Sequence, residues 1–237
     1  MELRVSERFY GMFQVVIQLG AILAVVVLFF RKLCPFRKSG EERAKTWRLW
    51  GMVTAAVVPS AVLGILLDDW MEEHLHDAFT VSAMLILYGL AFLLVERSRR
   101  SAVIGSVDAV DLKRAFGVGC FQALSLVPGT SRSGATILGA MLLGVERSAA
   151  AEFSFFLAVP TMVGAGAVKL AKFFLSGECL TGLEAGILFT GCAVSFLVSL
   201  LVIRGLMDYV RSRSFVPFGV YRIVLGLAVL FLFPFAK

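Results

Sequence analysis

The sequence is poor in charged residues, histidine and closely spaced cysteines. Only 17 % of its residues are charged, and it contains two histidines and four cysteines. The cysteines, at positions 34, 120, 179 and 192, show no Cys-x-x-Cys spacing, so neither a disulfide framework nor a zinc site is predicted. The net charge of +6 comes from lysines and arginines clustered beside apolar stretches. Such clusters indicate membrane topology and not nucleic-acid binding.

Apolar stretches dominate the chain, since 59 % of its residues are hydrophobic. About 20 apolar residues in a helix cross a hydrocarbon core, and only helices or closed barrels satisfy the backbone there. The sequence therefore predicts an all-α, polytopic membrane helix bundle that forms a single integral membrane domain over residues 1–237. The six predicted transmembrane spans cover residues 12–30, 49–67, 79–95, 152–175, 183–203 and 216–235.

Two apolar stretches between the third and fourth spans are too short to cross a membrane. Residues 116–127 and 134–145 each supply about twelve residues, which predicts a re-entrant helical hairpin over residues 116–145. The distribution of charge supports this interpretation. If the hairpin enters and leaves on the cytoplasmic side, Arg204, Arg211 and Arg213 also lie inside, as the positive-inside rule requires. A single crossing helix over residues 116–145 would place them outside.

The segment that joins the two short stretches, VPGTSRSGAT at residues 127–136, is unusually polar for so apolar a chain. Pro128 ends the preceding helix, and Ser131 or Ser133 can cap a new helix that begins near Gly134. Free N–H groups at that helix start, the Arg132 guanidinium and the neighbouring hydroxyls favour an oxyanion, with phosphate as the expected guest. The alternative is a plain turn at the cytoplasmic surface, with Arg132 facing lipid headgroups.

Other polar residues have more than one interpretation. His74 and His76 form a His-x-His pair in a carboxylate-rich segment, which favours a solvated loop over a metal site. Arg222 lies about two turns inside the last span, where a charge is costly. We expect it to pair with Glu146 or Glu152, or to reach a substrate.

Three segments carry a resemblance to a known family. The stretch PGTSRSGAT, followed by LGVERSAAAEFSFFLAVPTM, resembles the second signature region of the bacterial undecaprenyl pyrophosphate phosphatases, the BacA/UppP family. The stretch FQVVIQLGAILAVVVLF is similar to the first full span of that family, and FVPFGVYRIVLGLAVL is similar to its last. The resemblance covers nearly the whole chain from about Met12 onward.

The resemblance implies a membrane enzyme that removes the terminal phosphate of undecaprenyl diphosphate, recycles this cell-wall lipid carrier and confers bacitracin resistance. The implied fold contains an inverted repeat and two re-entrant hairpins. The implied location is the bacterial plasma (inner) membrane, the implied partners are a polyprenyl diphosphate and membrane lipids, and the implied cofactor is a divalent cation, Mg²⁺ or Ca²⁺. The oligomeric state is left open, with a homodimer as the candidate.

The resemblance also assigns roles to residues at the tip of the hairpin. Arg132 would clamp the diphosphate, while hydroxyls and N–H groups hold the other oxygens as charge builds at the transferring phosphoryl group. The implied catalytic residues are Arg132 and Ser131, and the implied substrate-binding residues are Gly129, Thr130, Ser133 and Thr136.

One part of the family pattern does not occur in this sequence. Family members carry an earlier glutamate-rich signature, followed by a serine and a histidine, that is proposed to supply metal ligands, nucleophile and base. No such stretch precedes Met12, so no metal ligand is assigned. Three explanations are open. The protein starts roughly 35 to 50 residues further upstream, the chain is a degenerate relative that binds or transports lipid phosphate without hydrolysis, or Ser131 acts alone as nucleophile.

Overall fold

A computed structural model describes residues 6–36, 39–75, 77–98, 102–177 and 179–233, which form helices joined by short connections. The all-α class is therefore confirmed. Two 3₁₀ turns, Val107–Ala109 and Leu124–Leu126, flank the central part of the chain. The helices are α1 (Glu7–Val16), α2 (Gln18–Leu28), α3 (Phe30–Leu33), α4 (Gly40–Leu75), α5 (Ala78–Arg97), α6 (Leu112–Ala123), α7 (Arg132–Leu142), α8 (Arg147–Leu175), α9 (Gly182–Ser212) and α10 (Val216–Leu232).

Within the described ranges, five helical stretches are long and apolar enough to cross a membrane, which fits the predicted polytopic architecture. They cover Arg8–Leu28, Gly40–Leu67, Ala78–Arg97, Arg147–Leu175 and Gly182–Ser212. The predicted span over residues 216–235 corresponds to α10, which is apolar and 17 residues long, and residues 234–235 lie outside the described part of the chain. The count of six spans and their orientation stay predictions.

The first span differs from the single helix expected over residues 12–30. It begins earlier, at Glu7, because the Ser6 hydroxyl caps α1 by accepting a hydrogen bond from Phe9 N at 3.1 Å. It is also interrupted at Ile17, which separates α1 from α2 while keeping helical backbone angles of φ −60° and ψ −25°. Hydrophobicity alone marks neither the polar cap nor this break.

The chain divides into two compact units. Unit 1 comprises residues Met1–Lys38 and Ala158–Leu206, and unit 2 comprises residues Ser39–Leu157 and Met207–Lys237. In unit 1, a cluster of buried apolar side chains joins α1 to α8, and it consists of Phe9, Met12, Val16 and Phe173. The single-domain organisation expected from the sequence stays a prediction.

Within unit 2, α5 and α10 approach each other closely enough to require glycine on both sides. A Cβ atom at Gly89 would lie 2.7 Å from the carbonyl oxygen of Gly219, and one at Gly219 would lie 2.9 Å from the carbonyl oxygen of Gly89. At the end of α5, the Glu96 carboxylate accepts a hydrogen bond from Phe215 N at 2.9 Å, just before α10 begins. The two helices thus form one firmly joined pair.

The contact between α4 and α6 is equally close and carries a polar link. A Cβ atom at Gly119 would lie 2.3 Å from the carbonyl oxygen of Ala56. Beside this contact, the buried Gln122 donates a hydrogen bond from Nε2 to Ser60 Oγ at 2.5 Å. Because a buried polar group without a partner is costly, this bond helps to fix the register of α6 on α4.

Helices α6 and α7 form the predicted hairpin of two short helices. They pack at Gly139, where a Cβ atom would lie 2.4 Å from the Phe121 ring. At the open end of the hairpin, Arg114 Nε donates to the carbonyl oxygen of Leu143 at 3.0 Å. The closed end is therefore the segment between α6 and α7, which contains the polar residues that the sequence marks as a site.

Candidate anion-binding site at the hairpin tip

The tip loop, residues 127–131, turns the chain sharply between α6 and α7. Gly129 adopts a left-handed backbone with φ of +83°, and a Cβ atom there would lie only 2.5 Å from the carbonyl oxygen of Val81 in α5. Thr130 N donates to the carbonyl oxygen of Val127 at 3.1 Å and closes the turn. Glycine is therefore required at position 129 for two separate reasons, its backbone angle and its contact with α5.

The start of α7 provides the helix terminus that the sequence predicts. Ser131 is the N-cap, and its Oγ accepts a hydrogen bond from Gly134 N at 3.2 Å. Of the two serines considered, Ser131 is thus the cap, and the helix begins at Arg132. The backbone N–H groups of Arg132 and Ser133 have no hydrogen-bond acceptor in the described part of the chain. They are available to an anion at the positive end of the helix dipole.

Arg132 is the first residue of α7 and is half-buried. Its guanidinium makes no hydrogen bond or ion pair with any residue that the structure describes. A partly desolvated cation without a counter-charge is unfavourable, and an anionic ligand would remove that penalty. This feature distinguishes the tip loop from a plain surface turn.

The four hydroxyls of the predicted site lie in different environments. Ser133 is exposed, and its Oγ lies 3.3 Å from Ser131 Oγ, so these two side chains are close together. Thr130 Oγ1 is buried and has no hydrogen-bond partner among the described residues. Thr136 is only 1 % exposed, and its hydroxyl contacts Ser154 Oγ at 2.6 Å and the carbonyl oxygen of Arg132 at 3.0 Å. Thr136 therefore links α7 to α8, and its predicted role in binding substrate stays a prediction.

Arg222 comes to the tip loop from α10, a contact that sequence reasoning missed. Its Nη2 donates to the carbonyl oxygen of Gly129 at 3.0 Å, and its Cζ lies 5.8 Å from the centroid of the Tyr88 ring. The expected pairing with Glu146 or Glu152 is wrong, because neither carboxylate is among the contacts of Arg222 in the described structure. No local signal in the sequence indicated this contact, because Arg222 and Gly129 are 93 positions apart.

The part of the chain that the structure describes contains no preformed centre for the implied divalent cation. Within the described ranges, no group of three or more His, Cys, Asp or Glu side chains is arranged to hold a metal ion. Ser131 Oγ contacts Gly134 N and Ser133 Oγ, and neither can act as a general base. The second residue of the His74–His76 pair lies outside the described residues. Among the described residues, the tip therefore offers N–H groups and a guanidinium to an oxyanion, and no general base contacts Ser131.

The far end of α7 offers a contrasting polar cavity of about 320 Å³, bordered by Glu96, Glu146 and Arg147. There Arg147 Nη1 lies 3.5 Å from Glu96 Oε2 and donates to the carbonyl oxygen of Arg213 at 2.8 Å. This arginine is satisfied by the protein, unlike Arg132. The arginine at this cavity is therefore bonded within the protein, whereas the Arg132 guanidinium at the tip loop bonds to no described residue.

Comparisons with known proteins show the family of the chain. The chain matches the model of the family described as "Bacitracin resistance protein BacA" over residues 1–228. It is 51 % identical over 235 residues to an undecaprenyl-diphosphatase of Streptococcus thermophilus, covering 98 % of this chain and 82 % of the relative. It is 52 % identical over 229 residues to an undecaprenyl-diphosphatase of Lactiplantibacillus plantarum, covering 95 % and 83 %. With such coverage on both sides, the chain belongs to the BacA family of bacitracin resistance proteins.

Proposed function

We propose that this chain hydrolyses undecaprenyl diphosphate to undecaprenyl phosphate and inorganic phosphate, using the tip loop and the start of α7 to hold the diphosphate. The observation that carries the proposal is the half-buried Arg132 at a helix N-terminus, with no counter-charge among the described residues. Membership of the BacA family and the names of relatives at about half identity supply the reaction.

The geometry suggests what each group does in that reaction. The Arg132 guanidinium and the N–H groups of Arg132 and Ser133 offset negative charge on the terminal phosphate as its bond to the bridging oxygen breaks. Ser131 Oγ already accepts from Gly134 N, so its own hydrogen is directed to another acceptor, either Ser133 Oγ or a phosphate oxygen. We derive no step through Mg²⁺ or Ca²⁺, which the family resemblance implies, because the described residues do not provide a site for it.

The long apolar helices make this a multi-pass membrane protein. Its proposed location is the bacterial plasma (inner) membrane, where release of undecaprenyl phosphate returns the lipid carrier to cell-wall synthesis. Overproduction should then raise bacitracin resistance. A homodimer is the proposed assembly to test against a monomer, and crosslinking in membranes at native expression would separate the two.

The first experiment measures phosphate release from undecaprenyl diphosphate by the purified chain, with and without Mg²⁺ or Ca²⁺. Replacing Arg132 by Ala should lower turnover by about 100- to 1,000-fold, the loss typical of a removed charge-stabilising group. Arg211→Ala is the matched control, because Arg211 is exposed and its ion pair among the described residues is with Asp208 at 3.9 Å. Turnover that is unchanged in Arg132→Ala would contradict the proposed role of the tip loop.

A second function, binding or transport of a lipid phosphate without hydrolysis, is favoured by one specific observation. Ser131 has no general base beside it among the described residues. Half-helices whose N-termini point at an anion also occur in secondary transporters. Under this alternative, undecaprenyl phosphate would stabilise the protein thermally, the stabilisation would be lost in Arg132→Ala, and no phosphate would be released under any metal condition.

A further inference from the structure

Two polar atoms at the hairpin tip are buried and have no hydrogen-bond partner within the described residues. They are Thr130 Oγ1 and Arg222 Nε. Both atoms lie beside the peptide group that joins Gly129 to Thr130. Arg222 Nη2 donates a hydrogen bond to the carbonyl oxygen of Gly129, and the Thr130 side chain follows directly in the sequence. Buried polar groups are almost always paired in native proteins, so two unpaired groups at one peptide require an explanation.

Arg222 is held firmly in this position. It lies on α10, which is joined to α5 through the facing glycines Gly89 and Gly219. Its guanidinium lies near the Tyr88 ring of α5, and Val81 of the same helix touches Gly129. The tip loop therefore packs against the backbone of α5 and accepts a charged hydrogen bond from α10.

We propose that Arg222 is a positioning residue for the diphosphate site. By holding the carbonyl oxygen of Gly129, it fixes the Gly129–Thr130 peptide and hence the direction of the Thr130 hydroxyl and of the α7 N-terminus. The Thr130 hydroxyl and the Arg222 Nε–H have no partner among the described residues and take acceptor oxygens of the diphosphate. This inference rests on the proposed function, because it assumes that the tip loop binds a phosphate group.

The charge of the ligand supports a second cation at the tip. A lipid diphosphate carries more than one negative charge at neutral pH, and Arg132 supplies only one positive charge. Arg222 adds another beside the same loop, and the helix that carries it contains no acidic residue to neutralise it. Charged hydrogen bonds of this kind are stronger than neutral ones, so Arg222 can both order the loop and attract the diphosphate.

Thr130→Val provides the sharpest test, because valine has nearly the shape of threonine and removes only the unpaired hydroxyl. We expect the melting temperature in detergent to stay unchanged or to rise. The KM for undecaprenyl diphosphate should increase about tenfold, the equivalent of one lost hydrogen bond. A lower melting temperature together with an unchanged KM would show that the hydroxyl is structural and would overturn the proposal.

Arg222→Gln and Arg222→Lys test the positioning role. Gln removes the charge, and kcat/KM should fall about 100-fold, while Lys keeps the charge and should recover about tenfold of that loss. The matched control is Arg211→Gln, which should leave kcat/KM unchanged. Wild-type kcat/KM in Arg222→Gln, or no recovery by Lys over Gln, would overturn the inference.

A ligand readout separates failure of this inference from failure of the proposed function. Inorganic pyrophosphate should raise the melting temperature of the wild-type chain and of Arg211→Gln, but not of Arg222→Gln. If the wild type released no phosphate yet showed this pattern, hydrolysis would be refuted and the positioning role of Arg222 supported. If pyrophosphate stabilised Arg222→Gln as strongly as the wild type, the positioning role would be refuted whatever the turnover.

Discussion

The contacts inside unit 1 differ in kind from the contacts inside unit 2. In unit 1, apolar side chains and one close backbone approach dominate: a Cβ atom at Gly20 would lie 2.2 Å from the carbonyl oxygen of Cys192. One polar contact between its helices is weak, from Cys192 Sγ to the carbonyl oxygen of Val16 at 3.7 Å. Unit 1 therefore resembles ordinary packing between membrane helices, in which small residues let backbones approach.

In unit 2, polar hydrogen bonds join separate elements around the hairpin. Gln122 is bonded to Ser60, Thr136 to Ser154, and Arg222 to Gly129. Polar groups inside an apolar bundle are costly, so these hydrogen bonds are expected to fix the position of the hairpin and its tip loop. The candidate site is thus marked by its own residues, above all Arg132, and also by the hydrogen bonds that hold the hairpin in place.

Gly129→Ala, in unit 2, should cause the largest loss of turnover and stability among the substitutions that compare the two units. The new methyl group meets the carbonyl oxygen of Val81 at 2.5 Å and forces alanine into a left-handed backbone, for a combined cost of about 2–5 kcal/mol. Turnover should fall by about 100-fold or more, because the tip loop must shift. The measurements are kcat and the melting temperature of the purified protein.

Gly177→Ala in unit 1 is the matched control for that substitution. Gly177 also has a positive φ, 79°, but no atom lies within 4 Å of a Cβ placed there. Only the backbone cost of about 1–2 kcal/mol is expected, with kcat unchanged. Equal loss of turnover in both variants would show that the two units are equally sensitive and would break the comparison.

Substitutions of two arginines in the hairpin should differ in their effect on the free energy of unfolding. Arg114 donates to the carbonyl oxygen of Leu143 and pairs with Asp111, so Arg114→Ala should lower the free energy of unfolding by about 1–2 kcal/mol. Arg132→Ala removes a side chain that bonds to no described residue and should change the free energy of unfolding by about 0.5 kcal/mol or less. Thermal melting in detergent measures both. A large loss of stability in Arg132→Ala would mean that this arginine has a structural partner and is not reserved for a ligand.

A smaller effect is expected from the polar link between α4 and α6. Ser60→Ala leaves the buried Gln122 without one of its acceptors and should cost about 1 kcal/mol in the free energy of unfolding. Its counterpart in unit 1 is Cys192→Ala, which removes only a weak S–H donor at 3.7 Å and should cost about half as much or less. If both substitutions cost the same, the distinction between polar and apolar packing in the two units would fail.

The sequence predicted those features of the site that depend on neighbouring residues. Pro128 indicated the end of the preceding helix, Ser131 was one of two expected caps, and the short apolar stretches indicated two short helices. Each of these follows from local rules for helix ends and span lengths. The all-α fold and the membership of the BacA family were also evident from the sequence, since apolar runs and signature motifs are local patterns.

The features that the sequence did not predict depend on contacts between distant residues. The bond from Arg222 to Gly129 joins residues separated by 93 positions, so no local pattern could indicate it. The burial of the Thr136 hydroxyl against Ser154 depends on how α7 packs against α8. The break at Ile17 leaves the backbone helical and so has no Pro or Gly to mark it.

The smallest expected effect concerns the cap of α6, outside the apolar spans. The hydrogen bond that Arg114 N donates to Asp111 at 2.9 Å, aided by the Arg114 charge, holds the pKa of Asp111 below its ordinary value. A carboxyl with a lowered pKa in the folded state contributes stability at neutral pH, and that contribution is lost as pH falls through the lowered pKa. Asp111→Asn is the matched variant, because asparagine also caps a helix but does not titrate. The melting temperature of the wild type should exceed that of Asp111→Asn slightly at neutral pH, and this difference should shrink in acid. A difference that stays constant with pH would show that the charge of Asp111 does not stabilise the open end of the hairpin.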